Sequence, residues 1–430
     1  MRLLFVLVVV VVPVLVTGIA VDRFPSLSVL DEPAHIDYLR RIEQGEVPRI
    51  GDKMLPATAR DVACRTIGGR PVSDCSLAEI PIEDLDALGF SYEAQQPPIY
   101  YAVTALLRQP ISLVVNGFVN SARLTGAIWL AGGLALLWWF LRRRLGATAL
   151  ATATACILVS MAPMVVGQSY TVNNDATSVL IGATTLVGYE RLRRDASGSV
   201  VALAVAGSVA LVLVKPLAIL PIGAAAVALL LGAVTRGAGI RAIVVLMLPA
   251  LAALVTYQGW EVIRDARALV PYSEVTDALL VGRPIVDEYP LDVVGTSLTE
   301  LLTGYADRVG VQPIRPAVAG FAAMIGLLLV YGPSIATALG RGRRELQHLH
   351  IGILTVALAA PVVLITQSYL AVSRDGGSNS RYALALIPMM TTAVVSWMDD
   401  SRGLRRVAVI GASLLLAVTV IGVSTHEVVT

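Results

Sequence analysis

Apolar runs of about 20 residues recur along the whole chain and are broken by short clusters rich in Arg, Gly or Asp. None of the runs alternates polar and apolar residues as the strands of an outer-membrane barrel would. They predict an all-α, polytopic membrane protein with about eleven spans, at 3–21, 122–141, 149–168, 175–190, 199–214, 216–234, 242–260, 317–338, 350–367, 382–398 and 406–424. Two polar segments are long. The first, 22–121, reads as a loop with its own short helices, and the second, 261–316, as a further loop. The whole chain, 1–430, reads as one membrane domain.

Composition agrees with this reading. Of the 430 residues, 56% are hydrophobic and 15% charged, and the mean hydropathy is +0.74. Soluble domains carry about 25% charged residues. The net charge of +2 is dispersed between spans, which argues against nucleic acid as a partner and leaves the lipid bilayer.

Charge also orients the chain. Arg142–Arg144, Arg191/Arg193/Arg194, Arg236/Arg241, Arg341/Arg343/Arg344 and Arg402/Arg405/Arg406 all fall on one side if eleven spans start from a cytoplasmic Arg2, as the positive-inside rule requires. "PPIYYAVTALL", Pro97 to Leu107, is apolar enough to count as a span, but counting it would invert every later loop. It is therefore expected to lie along the membrane surface, opened by proline in its first turn. The first run could be a signal peptide with cleavage near Ala20; its length favours an uncleaved helix. Cys64 and Cys75 lie in the first loop, on the oxidising side, where a disulfide is expected.

Polar groups collect at the ends of spans on that same outer face. They are Asp31, Glu32 and His35 after the first span, Gln96 at the end of the first loop, and Asn173, Asn174 and Asp175 between spans three and four. Lys215 sits between spans five and six, and Arg374, Asp375, Arg381 and Tyr382 between spans nine and ten. Each has a bland alternative. Asp31 could cap the helix that begins "EPAHIDYLRR", Asn174 and Asp175 could be turn residues, and Lys215 could snorkel to the interface. Together they suit transfer of a sugar from a polyprenyl phosphate. The phosphate leaves as an anion and needs cations, which Lys215, Arg374 and Arg381 can supply. The acceptor hydroxyl needs a base at the membrane surface, for which Asp31 is the first choice, with Glu32 orienting it or holding the acceptor.

The segments "LDEPAHIDYLRRIEQGEVP", "YEAQQPPIYYAVTALL", "GQSYTVNNDA" and "SRYALALIP" together resemble the GT-C superfamily of integral-membrane glycosyltransferases. The likeness is to the protein O-mannosyltransferase and aminoarabinose transferase-like group and the related DUF2142-type bacterial membrane proteins. It runs over nearly the whole chain, through short and degenerate motifs. The resemblance implies an inverting glycosyltransferase of a bacterial plasma membrane, with a polyprenyl-phosphate sugar as donor, used on the extracytoplasmic face. It implies Asp31 as base, with Glu32 as the second acidic residue. His35, Gln96, Asn174, Lys215, Arg374, Arg381 and Tyr382 would surround donor phosphate and substrate. The acceptor could be a glycan, a lipid or a protein. Some members hold a divalent cation such as Mg or Mn, which here would fall to Asp31 and Asp175; others hold none, so the cofactor stays open. The chain lacks the large soluble C-terminal domain of many members. A transporter of lipid-linked saccharides is the alternative from another class, and a non-catalytic membrane protein a third. A transporter should show mid-span charges and inverted repeats; the runs show few such charges and no repeat.

Overall fold

The computed structural model describes residues 2–29, 31–279, 289–303, 316–372 and 380–424. Among these the regular elements are helices, with only isolated bridges such as Leu27 to Ile67 and Lys53 to Phe90. In chain order they are α1 (Arg2–Arg23), α2 (Glu32–Glu43), α3 (Pro56–Arg65), α4 (Ile99–Ser112), α5 (Phe118–Arg143), α6 (Ala149–Ser160), α7 (Pro163–Ser169), α8 (Ser178–Arg194) and α9 (Gly198–Val214). There follow α10 (Pro216–Thr235), α11 (Ile240–Arg267), α12 (Tyr272–Leu279), α13 (Leu291–Thr303), α14 (Gly320–Ala338), α15 (Arg344–Val372), α16 (Arg381–Asp400) and α17 (Arg402–Ser424).

Eight of these helices are long and apolar enough to cross a bilayer, or nine if α6 and α7 form one span bent by 68°. The chain is a multi-pass membrane protein. In α11 only 17% of the most apolar stretch is buried; side chains such as Val244, Leu251 and Val255 point outward, which suits lipid and not water. Each of the eleven expected spans has a helix, but not all are full spans. The run at 149–168 breaks at Met161–Ala162, ahead of Pro163, where a ring without an amide hydrogen cannot continue the ladder. The helix α9 is shorter than a full span. In α8 the apolar run ends in "YERLRR" after about three turns.

The core divides into two large clusters and a small third one around Ile181, Val212 and Ala218. The bundle core joins α1, α5–α8, α10 and α14–α17 through residues such as Leu134, Leu158 and Met390. A second cluster is built by the first loop: Leu27, Ile36, Tyr38, Ile50, Phe90 and Tyr101 pack with Val172 of the segment between α7 and α8. The first loop therefore folds as a compact cap on one end of the bundle. The segment expected along the membrane surface is α4, a separate helix that buries Tyr100, Tyr101 and Thr104 and exposes Leu106. Cys64 and Cys75 form a disulfide at the end of α3, with Cα atoms 4.7 Å apart. Arg60 also grips the carbonyls of Cys75, Leu77 and Ala78 at 2.6–3.2 Å.

One close approach sets the site. A Cβ at Gly182 in α8 would come within 2.1 Å of the Ala385 carbonyl. Only glycine lets the 3-10 turn at Ser380–Leu386, which carries Arg381, lie so tightly on α8.

Candidate functional site

The first loop, the α7–α8 segment, the α9–α10 junction and the turn before Ile387 meet at the capped end of the bundle. Between them lies a cavity of about 1510 Å³. Asp31, His35, Gln96, Asn174, Asp175, Lys215, Arg381 and Tyr382 all line it. Eight of the residues singled out in the sequence therefore share one chamber, although they span 350 positions. Arg374 lies outside the described residues.

Asp31 sits at the N-cap of α2 with φ 61° and ψ 0° and makes no side-chain cap bond. The left-handed conformation is tolerated by Asp better than by most residues. It turns the carboxylate away from the helix amides and into the cavity, so capping does not explain this residue. Asp31 accepts from Arg381 at 2.6 Å and from the Tyr92 hydroxyl at 3.4 Å. Arg381 Nε lies 3.6 Å from Asp175, and Lys215 is in direct ionic contact with Asp175. Acid and base thus alternate along one string: Asp31, Arg381, Asp175, Lys215. Lys215 is 5% exposed, so it does not snorkel outward. Its pairing with Asp175 meets the need of a buried ammonium for a partner.

Asn174 donates to the Gln96 side chain at 3.0 Å, and Tyr38 donates to the Gln96 carbonyl at 3.0 Å. Tyr272 and Trp260 hold the neighbouring Gln95 by its side chain and its carbonyl. Arg381 also lies over the ring of Tyr382, 5.7 Å from its centroid.

Glu32 behaves differently from its neighbour. It is fully buried and absent from the cavity wall. Its two oxygens accept from Arg123 Nε and Nη2, both at 2.7 Å. They also accept from the Ser28 amide at 2.7 Å and the Val172 amide at 3.0 Å. Arg123 further donates to the carbonyls of Phe24 and Ser26. The expectation of a second acidic residue acting on substrate meets a carboxylate already surrounded by donors. Arg123 carries its own signal in the sequence, an ionisable residue within an apolar run.

Glu93 is the further polar residue that sequence reasoning passed over. It is 4% exposed, and its Oε2 has no hydrogen-bond partner among the described residues. Burial, and then the negative charge of Asp31, push its carboxyl up to about 8. Burial also pushes His35 down to about 3; Asp31 opposes this, and Arg381 and Lys215 reinforce it. For Asp31, burial alone would raise the pKa, but Arg381 and then His35 outweigh it and hold the carboxyl below its ordinary value. At neutral pH the site therefore holds a charged Asp31, a neutral His35 and a protonated Glu93.

The expected metal pair, Asp31 with Asp175, is not the set that converges. Asp175 is held by two cations. Asp31, His35 and Glu93 instead bring ligand atoms within 4.8 Å of one another. His35 Nδ1 is bonded to the Tyr101 hydroxyl at 2.7 Å, leaving Nε2 facing Glu93 Oε2 at 3.8 Å. One imidazole and two carboxylates, one of them with an orphaned buried oxygen, fit a divalent cation in donor type.

No family model and no curated protein matches the chain in sequence. Solved structures do. ArnT from Cupriavidus metallidurans bound to undecaprenyl phosphate superposes with a TM-score of 0.51 at 17% identity, covering 97% of this chain and 63% of that one. ArnT of the same organism in the apo state gives 0.52 at 13% identity, covering 95% and 74%. The chain thus spans less than two thirds of the length of the first of these. Its fold is that of these ArnT structures.

Proposed function

We propose that the protein is an inverting glycosyltransferase that moves a sugar from a polyprenyl phosphate to an acceptor at the extracytoplasmic membrane surface. One observation carries this reading: an acidic residue leaving the first span is joined in a single cavity with two buried cations from distant loops. The same cavity is walled on one side by Leu217, Leu220, Leu254, Val356, Val363 and Leu364, an apolar surface suited to the lipid chain. The undecaprenyl phosphate bound to ArnT supports a donor of this class. Orientation follows from charge. Twenty residues of α5, about 30 Å of helix, separate Arg123 at the capped end from Arg143, and the basic end is cytoplasmic by the positive-inside rule.

Lys215 and Arg381 take the donor phosphate, two cations for the charge that develops as the bond breaks. Phosphate competes with Asp31 for Arg381. As the guanidinium turns to the phosphate, Asp31 loses the partner that held its basicity down. Its carboxylate then accepts the proton of the acceptor hydroxyl while that oxygen bonds to the anomeric carbon. The carbon–phosphate oxygen bond breaks in the same displacement, the phosphate leaves with the electron pair, and the configuration inverts. Asn174, Gln96 and Tyr382 position the sugar. Glu32 and Arg123 hold the first loop so that Asp31 stays in place. A divalent cation held by Asp31, His35 and Glu93 would add positive charge beside the reacting centre.

The test is release of free polyprenyl phosphate from radiolabelled polyprenyl-phosphate sugars by the purified protein with a cell-envelope extract. Wild type should release it and Asp31→Asn should lose 10²-fold or more. A protein that binds the lipid and moves it across vesicles without cleaving any sugar would be a transporter instead.

A further inference from the structure

We infer that part of the cavity wall is an acceptor subsite for a neutral oligosaccharide, formed by Glu83, Asp84, Tyr257, Gln258 and Glu261. The inference rests on the transferase reading and narrows its acceptor from glycan, lipid or protein to glycan.

Size is the first argument. A cavity of about 1510 Å³ exceeds the roughly 300–1,000 Å³ of a site for one small ligand. It has room for the donor head and several further sugar units.

Charge is the second. Lys215 and Arg381 are assigned to the donor. The remaining described cation on the wall is Arg264. It is held by Glu261 at 2.6 Å and Asp265 at 2.8 Å and lies over the Tyr272 ring, 4.6 Å from its centroid. An acceptor bearing phosphates would meet carboxylates at Glu83 and Asp84 and no available cation among the described residues. A neutral acceptor suits this described lining better than a phosphorylated one.

The third argument is the kind of group on the wall. Carboxylates accept from hydroxyls, and carboxamides both donate and accept. Glu83, Asp84 and Gln258 thus present what neighbouring sugar hydroxyls need, and Tyr257 adds a ring that can cover the apolar face of a sugar.

The rim is built before ligand arrives. Glu83 and Asp84 lie on the 3-10 turn Ile82–Asp84. Gly89, with φ 70°, lets the chain fold back so closely that a Cβ there would stand 2.2 Å from the Ile82 carbonyl. Lys53 donates to the Leu88 carbonyl at 2.7 Å and rests on the Phe90 ring.

The experiment uses the full chain in nanodiscs. Saturation-transfer NMR is recorded with tetrasaccharides of mannose, arabinose, galactose and glucose. Undecaprenyl phosphate binding is measured on the same samples. The variants are Glu83→Gln/Asp84→Asn and Glu261→Gln. The expected result is that at least one tetrasaccharide binds wild type and loses tenfold or more in affinity in the double variant, with undecaprenyl phosphate binding unchanged. Equal tetrasaccharide binding by wild type and both variants overturns the assigned subsite. If no tetrasaccharide binds, while the protein still binds undecaprenyl phosphate and transfers sugar to a hydroxyl-bearing peptide or lipid, the glycan acceptor is overturned and the transferase reading stands. Tetrasaccharide binding lost in the double variant, in a protein that never binds undecaprenyl phosphate, keeps the subsite and overturns the transferase. Binding of neither probe overturns both.

Discussion

Asp31 and Glu32 are neighbours in the chain, each carboxylate meets a guanidinium, and the two pairs do opposite things. Glu32 is closed in by four hydrogen bonds from Arg123, Ser28 and Val172 and touches no cavity. Asp31 has one strong partner, Arg381, one weaker bond from Tyr92, and a cavity in front of it. The first pair joins the cap to the bundle and to the α7–α8 segment. The second is a contact that a substrate anion can replace. What separates structural from reactive carboxylates here is how many donors already serve each oxygen and whether solvent space adjoins it, since residue type and position are nearly the same.

The largest effect should come from opening the closed pair. Arg123→Ala leaves Glu32 buried and uncompensated and should cost about 3–5 kcal/mol of stability, read as a fall in the thermal midpoint of the purified protein. Arg123→Lys should recover only part of it, because an ammonium cannot serve both carboxylate oxygens and two carbonyls in the same planar fork.

Lys215→Met should act in the opposite sense. It removes a donor-phosphate cation and leaves Asp175 to Arg381, so donor binding should fall about tenfold or more while the fold persists. Lipid-binding titration of the variant beside its melting curve checks both halves. A variant that unfolds would instead place Lys215 with the structural pair.

A smaller effect is expected from pH. The folded-state pKa of Glu93 is raised to about 8, so between its ordinary value and 8 the folded protein binds the proton that the unfolded chain gives up. Stability from this group therefore falls as pH rises through that window. His35, lowered to about 3, has the reverse slope, but only below about 6.5. From about pH 6.5 to 8 Glu93 acts alone of the two. The thermal midpoint in EDTA should fall across that interval, and Glu93→Gln should flatten it. A separate check is reduction of the Cys64–Cys75 bridge, which closes a short loop. It should lower stability by no more than about 3 kcal/mol and leave donor binding intact, measured with and without reductant.

Much of this was legible in the sequence, for physical reasons that differ by level. Long apolar runs specify helices locally, so each expected span holds one. The break at Met161–Ala162 and the short α9 are decided by local chemistry and packing that hydropathy does not weigh. For the site, the cost of placing ions at a membrane boundary was enough to single out Asp31, Asp175, Lys215 and Arg381, which the fold brings together. Their pairing was not legible, because Asp175 could equally have faced a metal. Nor was the divergence of Asp31 from Glu32, which depends on one left-handed residue at a helix start. Arg123, the second residue of the span expected at 122–141, was not singled out. Glu93 was one acid among many in a polar loop, and the lack of a hydrogen-bond partner at its Oε2 exists only in three dimensions.

The most direct measurement pairs turnover with melting for Asp31→Asn and Glu32→Gln, each normalised to folded protein. The account predicts that Asp31→Asn loses sugar transfer 10²-fold or more with a nearly unchanged melting curve. It predicts that Glu32→Gln melts at clearly lower temperature and retains transfer in the fraction that stays folded. Full transfer by Asp31→Asn, or abolished transfer by a well-folded Glu32→Gln, would contradict it.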